Sequence, residues 1–146
     1  MSKANSYEAA ILACIYQNAN IANLGDATGV RGSTAAGTIK VALHTADPGE
    51  AGSQSTSEIA YTGYARATVV RSAAGFTLSG TAPTQIANAA IVNWPACTAG
   101  SGTATFFSFG DDSGNIIHSG ALSSSLAISA GITPSAAIGA LVATED

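Results

Sequence analysis

From Ser72 to Gly110, and again from Ser113 to Thr144, the chain carries no Asp, Glu, Lys or Arg. Within those stretches short apolar runs alternate with Gly, Pro, Asn and Ser. A helical bundle of this size would draw on Leu, Glu and Lys for its core and solvent faces. Here Ala, Gly, Ser and Thr supply 79 of the 146 residues, and alanine is nearly half of the 47% hydrophobic fraction. That palette suits closely packed sheets with many turns.

The strand candidates follow from period-two alternation. "TIKVALHT" places Ile39, Val41 and Leu43 on one face, as a half-buried strand requires. "YARATVVR", "GFTLS", "IANAAIVNW", "TATFFSFG", "NIIHSGAL", "SLAIS" and "AIGALVA" continue the pattern, separated by turn residues. In "FFSFGDDSGNIIHSGAL" the segment Asp111-Asp112-Ser113-Gly114 joins two apolar runs, which predicts a hairpin with Gly114 at positive φ. Regularly spaced short strands with a single helical segment predict an all-β fold: an antiparallel β-sandwich or jelly roll of about eight strands with one short N-terminal α-helix. The helix is expected near the start, with Asn5 as cap, Glu8 three residues on, and Tyr7, Ile11, Leu12 and Ile15 as its apolar stripe. A helical segment over 1–24 followed by a β domain over 25–146 is the expected organisation; no repeat or interdomain linker is visible. That stripe must be covered, either by the chain's own sheet or by a partner, so the same four residues are the candidate partner interface.

Net charge is −4, and the five basic residues are scattered through the first half, whereas binding to nucleic-acid backbones relies on clustered Lys and Arg. Nucleic acid is therefore not an expected partner. No apolar run approaches the eighteen or so residues of a membrane span, and the first residues lack a signal-peptide cleavage pattern. No membrane partner is expected. Cys14 and Cys97 lack metal-ligand spacing and read as buried, reduced thiols.

"LHTADPGE" is the one place that resembles an approach to an active site. Alternation sets His44 opposite Val41 and Leu43, while Asp47, Pro48 and Gly49 have the side-chain bond, fixed φ and flexibility of a turn. These are turn residues at a strand end. G-x-S-x-G, P-loop, dinucleotide, zinc-protease and EF-hand patterns are all absent. No catalytic residue, metal ligand or cofactor site is predicted, and the chain is expected not to be an enzyme. Arg66, one of few charges beside a long neutral region, is expected to pair with Asp47, Glu50 or Glu58 and hold the loop after the first strand. Asp111, Asp112 and Gly114 are assigned to the hairpin turn.

Four blocks in order carry a resemblance: "VALHTADPGEAG", "EIAYTGYARATV", "FFSFGDDSGNIIHSGAL" and "ISAGITPSAAIGAL". They include Leu43–Pro48, the Y-x-R of Tyr64–Arg66, and the Gly-Asn and S-G-A-L between Gly114 and Leu122. Together, over roughly residues 5–142, they resemble a family of small tailed-phage structural proteins, often labelled tail or tail-fibre proteins. Some members look like jelly-roll cement proteins of the phage head. Where relatives commonly carry Gly-Gly, this chain has Ser113-Gly114. The resemblance implies a capsid decoration protein that is assembled in the bacterial cytoplasm and sits on the outer capsid surface, with the major capsid protein as partner. The alternatives are a tail, baseplate or fibre component, or a free carbohydrate-binding jelly roll. The scarcity of charge in the second half agrees with an assembled protein, since soluble sheets normally blunt their edges with Lys, Glu or Pro, and interface cores are depleted in charge. A homo-oligomer is expected, a dimer ahead of a trimer.

Overall fold

The structure, a computed structural model, describes residues 3–30, 32–81 and 83–145. Helix α1 spans Asn5–Gln17, and the strands are β1 (Thr38–His44), β2 (Ala67–Val70), β3 (Phe76–Ser79), β4 (Thr84–Asn88), β5 (Val92–Asn93), β6 (Ser101–Gly110), β7 (Ile116–Ser129), β8 (Ser135–Ala136) and β9 (Val142–Glu145). They form three antiparallel sheets ordered β2-β1-β6-β7, β3-β4-β9 and β5-β8. The chain is thus an all-β sandwich with one short N-terminal helix.

Three elements meet in one aromatic cluster. Tyr16 of α1, Phe76 of β3 and Phe109 of β6 pack edge to face with ring centroids 5.0, 5.3 and 5.5 Å apart, the arrangement that ring quadrupoles favour. Around it lie Leu12, Val41, Leu43, Ile86 and Leu141, all fully buried. Trp94, beyond β5, reaches the four-stranded sheet by donating its indole N–H to the carbonyl of Val41 at 3.0 Å.

The helix buries a different row from the expected stripe. Glu8, Leu12 and Tyr16 are its buried residues, spaced i, i+4 and i+8, while Tyr7 is 43% exposed and Ile11 and Ile15 are half-buried. Leu12, lying wholly inside its own chain, is closed to any partner. The expected Asn5 cap also gives way: Ala4 occupies the N-cap with no side-chain bond, and Glu8 instead accepts a hydrogen bond from Thr84 Oγ1 at 3.2 Å. Strand β4 supplies the partner that a buried carboxylate needs. At the other end, Asn18 takes the left-handed conformation at φ 58°, and Arg71 donates to the carbonyls of Cys14 and Ile15. A cation on those unpaired carbonyls stabilises the helix C-terminus.

Four expected strands are redrawn, "AIGALVA" being strand only from Val142 onward. "IANAAIVNW" breaks into β4 and β5, in separate sheets, because Asn88 pins the corner: its Nδ2 donates to the carbonyls of Ala90 and Ala137, and its Oδ1 accepts from the Leu141 N–H. "NIIHSGAL" and "SLAIS" fuse into β7 through a bulge, with Phe106 facing Ala121 but Ala104 facing Leu126. The two thiols are free, Cys97 buried and Cys14 only half-buried.

Candidate functional site

Most chemistry-bearing side chains gather where the loop after β1 folds back over the sheet. Residues 53–59 return along the end of β1, with Ile59 N–H donating to the Leu43 carbonyl and a bridge between His44 and Glu58. Gln54 lies on the face that carries His44, Ser108 and Gly110, donating from Nε2 to the Lys40 carbonyl at 3.1 Å. A side chain at Gly110 would collide with it. Both faces of β1 are therefore covered, and His44 is fully buried, not at a solvated strand end as alternation alone implied.

His44 stands 2.8 Å from Ser108 Oγ through Nε2 and 2.8 Å from the Thr56 carbonyl through Nδ1. Such a distance suits a nucleophile and its general base. The surroundings argue otherwise. A carbonyl only accepts, so Nδ1 carries the proton and Nε2 accepts from the Ser108 hydroxyl; that hydroxyl in turn accepts from Gln54 Nε2 at 3.3 Å. Every partner is satisfied inside the chain, and His44, Ser108 and Gln54 are all 0% exposed, leaving no approach for a substrate. Burial also holds the His44 pKa below its ordinary value. The cluster is a neutral polar seam that ties loop to sheet.

Arg66 clamps the outside of that seam. Of the three acids available to it, Glu58 is the partner, through a fork of Nε to Oε1 and Nη2 to Oε2, both 2.8 Å. The Y-x-R spacing puts Tyr64 and Arg66 on one side of extended backbone, and Tyr64 donates its hydroxyl to the same carboxylate at 3.0 Å while accepting from the Leu43 N–H. Gly114, at φ +84°, brings its backbone so close that a Cβ would lie 3.0 Å from Arg66 Nη1, and its carbonyl accepts from Gln54 N–H at 2.9 Å. The hairpin turn and the loop after β1 are one unit.

The remaining turn residues act locally. Asp47 accepts from Gly49 N–H at 2.9 Å, Gly49 sits at φ +68°, and Pro48 is buried. Asp111 accepts from the N–H groups of Ser113 and Asn115 and from Asn115 Nδ2, and these bonds hold its pKa below the usual carboxylate range. Asp112 faces Lys40 at 3.3 Å from an exposed position. His118 accepts from the Tyr16 hydroxyl at 2.7 Å and turns its other nitrogen toward Glu145; Glu145 also contacts Lys3. Sequence reasoning missed Gln54, Thr56, Tyr64 and Ser108. Only the Tyr64-x-Arg66 spacing carried a usable signal.

What the chain presents outward is a plain surface. On β7 the exposed residues are Ser119, Ala121, Ser123, Ser124, Ser125, Ala127 and Ser129, and β7 is an edge of its sheet. Ile91 and Ile138, 59% and 65% exposed, are the most exposed large apolar side chains among the described residues. Residues 13–144 match the family described as podophage GP4 fiber I protein gp80. The chain belongs to this family. The gp80 match begins within α1 and takes in every strand but the last residue of β9, so the sandwich as a whole is the shared unit. No curated protein matches the chain. Membership in the gp80 family makes it a phage structural protein, the coarser part of what the four sequence blocks implied.

Proposed function

We propose that the chain is a non-enzymatic, fibre-associated structural subunit of a podophage virion. The match to a fibre protein family over residues 13–144 carries this reading. It is supported by the internal commitment of the groups best suited to chemistry: His44 and Ser108 are sealed in the polar seam, and His118 is tied to Tyr16 and Glu145. Protein–protein contacts are its function, and the uncharged β7 face and the exposed isoleucines are the surfaces that suit them.

Immunogold labelling of purified virions with antibody to this chain tests the proposal. Label on appendages, and a band far weaker than the major capsid protein in a stained gel, is the expected result. Label spread over the head, with copy number rivalling the major capsid protein, would replace the fibre reading with outer-capsid decoration.

A further inference from the structure

We propose that the free edge of β7 pairs antiparallel with β7 of a second copy of this chain, joining two four-stranded sheets across a two-fold axis. This deepens the fibre reading, on which it rests only in treating the chain as an assembled subunit.

The four-stranded sheet ends in two unlike edges. β2 is 4 residues long and bracketed by Arg66 and Arg71, so it is short and flanked by charge, two devices that keep an edge from recruiting strands. β7 runs for 14 residues without a Lys, Arg, Asp, Glu or Pro, roughly 45 Å of backbone at the usual rise. Among the described residues, β7 pairs with β6 over Ile116–Ala121 and Leu126–Ser129, Leu122–Ser125 lie in the bulge between, and no other backbone is bonded to the strand from Ile116 to Ile128. Every group turned away from β6 is thus left to solvent or to another strand.

The occupant follows from symmetry and charge. In a two-fold pairing the same patch meets itself, so a patch carrying charge of one sign would face its own kind. The β7 edge carries none: its outward row is Ser and Ala, and His118 is turned inward to Tyr16 and Glu145. Pairing β7 with β2 of another copy would overlap only 4 residues and end against two arginines, so β7 on β7 makes the longer ladder. The bulge between Ala121 and Leu126 divides the strand into two flanks, and a two-fold axis through it sets each flank beside the opposite flank of the partner.

Sedimentation of the full chain at micromolar concentration tests this directly. Wild type should run as a dimer; Ala121→Lys/Ala127→Lys, which sets like charges against each other, should weaken dimerisation at least about tenfold while the β-sheet circular dichroism of the chain is unchanged. Mixing it with Ala121→Glu/Ala127→Glu should restore a dimer of one copy of each, which damage to the fold could not do. Thr68→Lys on β2 should leave the dimer intact. A monomeric wild type, a dimer indifferent to the β7 lysines, or a lysine effect that the glutamate variant does not rescue would each overturn the pairing. None of these outcomes reports location on the virion, so the fibre reading fails only by labelling and the β7 pairing only by mass.

Discussion

Arg66→Ala should cost the fold about 2–3 kcal/mol. The guanidinium makes two charge-assisted bonds to Glu58 at 2.8 Å and a third to Ser55 Oγ at 3.1 Å. A bond to a charged group is worth about 1.5–3 kcal/mol when desolvated. Here the two side chains retain 26% and 17% exposure, so water screens part of that and the pair sits at the lower end. Removing Arg66 also leaves Glu58 under the folded loop with only the Tyr64 hydroxyl, and that orphaned carboxylate keeps the loss near 2 kcal/mol or above. For a chain of this length each kcal/mol corresponds to about 3 °C in Tm, so the midpoint should fall by roughly 6–9 °C. Urea denaturation of wild type, Arg66→Ala, Arg66→Lys, Glu58→Gln and the Arg66→Ala/Glu58→Gln double variant measures it. Lysine keeps the charge and loses the fork, so it should recover about half, and the cycle should show about 1–2 kcal/mol of coupling. A loss under about 0.5 kcal/mol, the range of an ordinary surface substitution, would refute the clamp.

His44 is held neutral by burial and its pKa lies below the ordinary 6.5, so the unfolded chain takes up the proton first. Stability should therefore fall as pH drops below about 6.5 and level off beneath the depressed folded value; His44→Asn should flatten that slope in urea midpoints between pH 7 and 5, and an unchanged slope would contradict it. Gly114→Ala forces a side chain into positive φ against Arg66 Nη1 and should lose about 1–2 kcal/mol in the same assay. Deleting residues 1–24 removes the fully buried Leu12 and Tyr16, a cavity far larger than the about 3–5 kcal/mol opened by one aromatic truncation. Aggregated or unfolded protein is expected by circular dichroism, and a stable β domain would show that the helix is dispensable.

Local rules were enough to read the turns and four of the nine strands from the sequence. Asp47-Pro48-Gly49 and Asp111–Gly114 act through bonds to N–H groups two to four residues away, and such chemistry is complete within a few residues of chain. Alternation likewise located β1, β2, β3 and β6, because side-chain direction in a strand is set by its own backbone. Burial is not local. Whether the second face of β1 met water depended on residues 53–59 returning over it, and whether α1 buried Tyr16 or Tyr7 depended on where Phe76 and Phe109 came to lie. The same held for the ends of strands: Asn88 split one apolar run by reaching Ala137 and Leu141, contacts some fifty residues distant in sequence. Arg66 had three acids in reach along the chain, and the fold chose Glu58, since only the return of the loop along β1 placed a carboxylate beside both Tyr64 and the guanidinium.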